Sequence, residues 1–158
     1  MSASVQLHPL PATAAGELLT LQRAAYVSEA QAYGDPFLPA LTQGLDDLCT
    51  ELDCSTSLGA WSGSRLVGAV RSREHDGTLR IGRLVVAPDQ QGRGIGTSLL
   101  GAAENATRLP RAALFTGHLS EANLRLYHRL GYAESHREQV HPGLQLVHLA
   151  KPLPGAHR

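Results

Sequence analysis

Leu84-Val85-Val86-Ala87-Pro88-Asp89-Gln90-Gln91-Gly92-Arg93-Gly94-Ile95-Gly96-Thr97-Ser98-Leu99-Leu100 reads as three pieces joined end to end. An apolar run from Leu84 to Val86 stops at Ala87-Pro88. A polar turn follows, with glycine at the alternate positions Gly92, Gly94 and Gly96. From Ile95 onward, apolar residues recur at helical spacing through Leu99, Leu100 and Ala103. The order predicts a strand, a glycine-rich turn and the beginning of a helix. The first N–H groups of a helix have no acceptor within it, and the helix dipole adds positive charge at that end. Such a junction suits a phosphate. It is not a Walker A loop, because Gly96 is followed by Thr97-Ser98 where that loop needs Lys-Ser/Thr. Nor is it a dinucleotide fingerprint, because the third glycine comes one place early and a hairpin precedes it. A tight turn that holds no ligand is the plain alternative.

Working outward, Asp76-Gly77 between Arg65–Glu74 and Thr78–Ala87 predicts a two-residue hairpin. Leu79 and Ile81 share one face, Arg83 breaks the alternation, and Leu84 and Val86 take over the apolar phase. That one-residue slip predicts either a β-bulge near Gly82–Arg83 or a strand buried on both faces. Towards the N-terminus, Val5–Leu7 reads as a strand and Glu17–Tyr33 as a helix stopped by Gly34-Asp35-Pro36. Leu41, Leu45, Leu48 and Leu52 mark a second helix, and Leu58–Trp61 a strand. After the glycine turn come a helix to Thr107, a strand Ala112–Phe115, and a helix Glu121–Leu130 capped by Ser120 and stopped by Gly131. Tyr132–Val140 and Leu144–Ala150 form a last hairpin, and the tail 152–158 frays. The fold class expected is α/β, a mixed and mostly antiparallel sheet of about 6–7 strands with about four helices. Residues 1–158 are expected to form one domain.

No apolar run in the 158 residues approaches the ~20 needed to span a bilayer. The first residues lack the basic and apolar regions of a secretory signal. Cys49 and Cys54 are expected as buried, reduced thiols, and the expected location is cytoplasmic. Net charge is zero, but the arms differ: residues 1–79 carry nine acidic and four basic side chains, residues 80–158 five and ten. The basic arm holds the glycine turn and suits an anionic ligand; the acidic arm suits a cationic amine; a chance split of solvated charge accounts for both equally. A neutral chain with no basic run argues against nucleic acid. His128, His136, His141 and His148 lack metal-ligand spacing, so no metal is expected.

The stretch Val86-Ala87-Pro88-Asp89-Gln90-Gln91-Gly92-Arg93-Gly94-Ile95-Gly96 resembles motif A of the GNAT superfamily of acyl-CoA N-acyltransferases, V-x-P-x-x-Q/R-G-x-G-x-G/A. Asn123-Leu124-Arg125-Leu126-Tyr127-His128-Arg129-Leu130-Gly131-Tyr132 resembles the family's later N-x-x-x-Y-x-x-x-G-F/Y segment. The strong match covers about fifty residues and the element order extends it; residues 1–56 match only in element type. The resemblance implies acetyl-CoA as co-substrate. Its pyrophosphate would sit on the N–H groups of Gln91, Gly92, Arg93, Gly94, Ile95 and Gly96, with the Arg93 side chain as counter-charge and the Thr97 hydroxyl beside them. Its pantetheine arm would pair with the free backbone of Leu84, Val85 and Val86. By the same resemblance, Asn123 would bind the arm and Tyr127 would protonate the departing thiolate; unaided, Tyr127 reads as a core aromatic.

The reaction so implied is direct attack of an amine on the thioester, with the carbonyl polarised by strand N–H groups. Many relatives place a Glu near this strand as base. Here Gly82, Arg83 and Thr116 stand around those places, so His118, Glu74, Glu29 and water remain as routes for the proton. Glu29 and Tyr33 are expected at the acceptor, a small-molecule or peptide amine, with Glu29 and Asp35 favouring a cationic one. Three other readings stay open: a non-catalytic acyl-CoA-binding sensor, a nucleotide-binding domain, and a structural domain with an empty turn. The sequence sets no oligomeric state, and a homodimer is among those it allows.

Overall fold

The computed structural model describes residues 4–154. Strand β1 (Val5–Pro9) pairs antiparallel with β2 (Thr56–Ser62), β2 with β3 (Arg65–His75), and β3 with β4 (Thr78–Val86). β4 runs parallel to β5 (Arg111–Gly117). The closing hairpin of β6 (Ala133–His141) and β7 (Leu144–Pro152) then docks with β7 inside, giving a seven-stranded sheet of order β1-β2-β3-β4-β5-β7-β6. The α/β class, the mixed and mostly antiparallel sheet and the strand number agree with the sequence reading.

The expected hairpin turn is present. Asp76 (φ 49°) and Gly77 (φ 73°) both take positive φ, as a type I′ turn requires, and His75 pairs with Thr78 across it. The bulge is present too. Ala69 pairs with Val85 and Arg71 with Gly82, so Val70 alone faces both Arg83 and Leu84, and Arg83 sits at φ 50°. β4 and β5 pair only through Leu79–Ala112 and Arg80–Ala113. Beyond Arg80 the two strands have no ladder between them among the described residues, and β4 is left with an open edge.

The helices are α1 (Ala15–Ala25), α2 (Val27–Tyr33), α3 (Pro39–Thr42), α4 (Leu45–Asp53), α5 (Ile95–Asn105) and α6 (Glu121–Arg129). The single helix expected over Glu17–Tyr33 is two, broken at Tyr26 (φ −88°, ψ 0°). The two apolar faces read along it belong to different segments. α1 buries Leu18, Leu19, Leu21 and Gln22, whereas α2 has no buried residue and stands over the open edge. The leucine-spaced helix is likewise divided, because Gln43 (ψ 131°) and Gly44 (ψ 168°) are extended; Leu48 is fully buried but Leu45 is 46% exposed. Cys49 and Cys54 are free but exposed, contrary to expectation, since they lie off the face of α4 that Leu48 buries.

α1 and α5 cover opposite faces of the sheet. Arg71 donates to Gln22 of α1 at 2.9 Å. Three residues earlier on β3, hence on the other face, Gly68 lets α5 come close: a Cβ there would stand 2.9 Å from Ile95 Cγ2 and 3.1 Å from Leu99 Cδ1. Leu48, Val67, Val70, Leu99, Leu100 and Val147 form the fully buried centre. Against the fraying expected from 152, Pro152 ends β7 and Leu153 is buried, its N–H bonded to Pro110 O at 2.8 Å. Residues 155–158 lie outside the described residues, as do residues 1–3 of the expected domain.

Candidate functional site

Where β4 leaves β5, a cleft of ≈ 280 Å³ opens between the bulged strand, the glycine turn, α6 and the α1–α2 corner. Its first wall is backbone. Gly92 and Gly94 both take φ 80°, a left-handed conformation that glycine enters without strain. Gly94 is the N-cap of α5, and the first backbone bond of that turn is Ser98 N–H to Gly94 O at 3.0 Å. The N–H groups of Ile95, Gly96 and Thr97 therefore have no acceptor within the helix. Gln91, Gly92, Gly94, Ile95, Gly96 and Thr97 all line the cleft, as the sequence reading expects. Arg93 does not. Its guanidinium is held by Gln90 Oε1, and it borders a separate hollow with Ser4, Val5 and Leu7.

The second wall is the bulged strand. Leu84, Val85 and Val86 line the cleft, with Val85 buried and its neighbours half-buried. A Cβ on Gly96 would lie 3.4 Å from Leu126 and 3.7 Å from Leu84, ordinary contact distances, so α5 sits close to α6 and β4 there without requiring glycine. The third wall is α6. Asn123 lines the cleft and donates from Nδ2 to Thr116 Oγ1 at 3.3 Å. Tyr127, one turn later, is buried and packs edge-on against Tyr132, ring centroids 6.0 Å apart. It stands behind the lining. Burial pushes its phenol well above the ordinary value, and the nearby Tyr26 and Glu29, which do line the cleft, push in the same direction. Tyr127 therefore keeps its proton. Gly131 ends α6 as expected: at φ 97° it donates to His128 O, while Tyr132 N–H reaches Tyr127 O at 3.0 Å, the two bonds of a Schellman stop.

The fourth wall is α2, where Glu29 lines the cleft. Ser120, expected as a helix cap, makes no capping bond with its side chain. Its hydroxyl donates instead to Glu29 Oε2 at 2.6 Å and meets the Tyr33 hydroxyl at 2.9 Å, while Leu119 N–H donates to Tyr33 at 3.0 Å. Tyr33 is thus a strut that ties α2 to the β5–α6 loop, and it is not part of the cleft lining. Asp35 is occupied in its own loop, accepting from Phe37 N–H at 2.8 Å.

His118 is not part of the lining either. Gln145 N–H donates to its Nδ1 at 3.0 Å, and Gln145 O is already taken by His118 N–H at 2.9 Å. Nδ1 also lies 3.3 Å from Gln145 O, so the Gln145 backbone holds the ring outside the cleft. Glu74 lies beside the hairpin turn, accepting from Thr107 at 2.9 Å, far along the sheet from the bulge. Sequence reasoning missed Tyr26, Ser28, Gln90, Ala122, Leu126 and Arg129, all of which line the cleft. Ala122, Leu126 and Arg129 share one helical stripe, a spacing readable from sequence once α6 is placed. Among the described residues no helix is long and apolar enough to cross a membrane, and no group of three or more His, Cys, Asp or Glu could hold a metal.

Residues 42–153 match the family model described as "Acetyltransferase (GNAT) domain". The UPF0157 protein YqkA of Bacillus subtilis (strain 168) is 27% identical over 136 residues, 85% of this chain; the chain spans 39% of that protein's length. Among solved structures, the PaiA N-acetyltransferase of Thermoplasma acidophilum in complex with coenzyme A aligns with TM-score 0.76 and 16% identity, covering 94% of this chain and 99% of that one. YncA of Salmonella typhimurium, a putative acetyltransferase solved with acetyl-CoA, aligns with TM-score 0.74 and 16% identity, covering 94% of each chain.

Proposed function

The chain belongs to the GNAT acetyltransferase family, and from that membership we propose that it moves an acetyl group from acetyl-CoA to a primary amine of a small molecule or peptide, residues 1–158 acting as one domain. One observation carries the reading. The open edge of β4 and the three acceptor-free N–H groups of α5 face the same cleft. A ligand with an extended amide arm and a pyrophosphate matches that pair of surfaces; a ligand with only one of these does not. The N–H groups from Gln91 to Thr97 hold the pyrophosphate, glycine letting the backbone approach it. Arg129, in place of the Arg93 side chain, supplies the cation on the cleft wall. Leu84 to Val86 pair with the arm as an added strand would, and Asn123 meets it from α6.

The thioester that acetyl-CoA brings is an acyl donor. The amine nitrogen attacks its carbonyl carbon; the N–C bond forms and the C–S bond breaks. The N–H of Val86 stabilises the charge on oxygen during attack: the Ala87 N–H is bonded to Val67 O on β3, so by strand alternation the Val86 N–H faces the open edge. Tyr127, protonated across the working pH range, gives its proton to the departing sulfur. Glu29 takes the proton from the amine. Its Oε2 is fixed by Ser120, and the carboxylate sits in the cleft wall. The reduced, exposed Cys49 and Cys54 fit a cytoplasmic setting.

Acetyl-CoA is expected to raise the melting temperature, and thiol release is expected with at least some members of an amine panel. Lack of stabilisation by either coenzyme A or acetyl-CoA would overturn the reading. Binding without turnover of any amine would favour the acyl-CoA sensor.

A further inference from the structure

We propose that the acceptor of this enzyme carries a carboxylate besides its amine, and that Arg71 and Arg83 bind it over Gly82. The inference rests on the acetyltransferase reading and deepens it to a substrate class.

Three observations converge on Gly82, which precedes the cleft-lining strand Leu84–Val86 and lies beside the Tyr26 wall that Arg83 touches. First, there is room. Gly82 is exposed, and a Cβ built on it meets nothing within 4 Å. It faces Arg71 across the β3–β4 ladder, at the point where β4 has already left β5.

Second, two cations converge there. Arg71 is 5% exposed and pairs with Gly82 itself; Arg83 is the next residue of the bulge. The bulge holds Arg83 at φ 50°, an uncommon conformation for arginine, with its guanidinium 6.0 Å from the ring centroid of Tyr26, a residue of the cleft wall.

Third, their donors are under-used. Arg71 gives one bond, to Gln22 Oε1 at 2.9 Å, while its Nε and Nη1 and the Nε of Arg83 are buried without a hydrogen-bond partner. Among the described residues, Glu51 is the carboxylate that pairs with Arg71. It stays 3.7 Å from Arg71 Nε and takes a bond from Gln43 at 2.5 Å. Burial, and after it the field of Arg83, work against the charge on Arg71, with Glu51 opposing them. Buried cationic donors are costly unless something accepts from them, and a carboxylate matches the guanidinium fork. Gly82 also lies a few residues along β4 from Val85 and Val86. An amine on the same small molecule would reach the thioester while its acid end rests on Gly82.

The test compares matched acceptors, α- and ω-amino acids against their own amides, with acetyl-CoA and a free-thiol readout on the full chain. A nearby carboxylate raises the pKa of an ammonium, so the amide has more free amine, and a preference for the acid cannot come from amine reactivity. The acid is expected to be used about 10–100-fold better in kcat/KM, the worth of a charged hydrogen-bonded contact. Arg83→Gln is expected to bring that ratio towards one. Gly82→Leu is expected to raise KM for the acids by filling the space, while acetyl-CoA still stabilises both variants. Amides used as well as acids, an unchanged preference in Arg83→Gln, or turnover confined to amines without an acid group would each overturn the inference and leave the acetyltransferase reading standing. No stabilisation of the wild-type chain by acetyl-CoA would overturn that reading first.

Discussion

Gly117→Ala should uncouple α2 from the β5–α6 loop, because the two are joined by an oxygen that stands where a side chain would begin. A Cβ on Gly117 would lie 1.9 Å from the Tyr33 hydroxyl oxygen and 2.6 Å from its Cζ, so Tyr33 must move. Moving it breaks its contact with Ser120 at 2.9 Å and the bond from Leu119 N–H at 3.0 Å. Each is worth about 0.5–1.5 kcal/mol net, so the loss is about 1–3 kcal/mol. For a chain of this length that lowers the melting temperature by about 2–12 °C. The assay is thermal or urea unfolding of a double-mutant cycle with Tyr33→Ala. With the ring gone, the new methyl meets no ring atom, so Gly117→Ala in the Tyr33→Ala background should cost no more than about 0.5 kcal/mol. An equal cost in both backgrounds would refute the reasoning, because the clash would then not be with Tyr33.

Tyr127→Phe should slow thiol release by about 10²–10⁴-fold with the affinity for acetyl-CoA unchanged. Because burial holds the phenol above its ordinary value near 10, the wild-type rate should show no alkaline loss due to Tyr127 below about pH 10; a limb near pH 8 that Tyr127→Phe removes would contradict this. Gly94→Trp should abolish coenzyme A-induced stabilisation while the unliganded chain still folds, since its Cβ meets nothing within 4 Å and φ 80° adds about 1–2 kcal/mol of strain. Asp89 accepts two bonds from Arg65, at 2.8 and 2.7 Å, which hold its carboxyl well below the usual range. Its contribution to stability is then present above the ordinary carboxylate pKa and lost as pH falls towards the depressed one; an NMR titration of the Asp89 carboxyl, with Arg65→Gln raising it towards the ordinary value while the Gln90 bond remains, checks both.

Local chemistry made much of the fold legible. The Asp76-Gly77 pair implies positive φ at two successive residues, and the change of apolar phase after Ile81 implies an extra residue in β4; both hold in the structure. The breaks at Tyr26 and Gln43–Gly44 were not legible in the same way. Leu18 to Tyr33 keeps helical spacing throughout, and only the position of α2 over the open edge of β4 shows why the chain turns at Tyr26. Tertiary placement overrides periodicity there, and the two adjoining apolar faces were its only trace.

The cleft divides along the same line. Its cofactor side is made by contiguous chain. Backbone N–H groups need glycine beside them and a strand edge needs a bulge to free it, so that side leaves a local record in Leu84–Thr97. The proposed acceptor side is made by side chains brought from distant parts of the chain: Glu29 meets Ser120 across 91 residues, and Gln22 meets Arg71 across 49. Nothing near Ser120 distinguishes a helix cap from a hydroxyl committed to α2, and nothing near Arg83 shows that Arg71 stands beside it. The sheet order alone brings them together, so the acceptor site proposed above rests on pairings that no window of sequence contains.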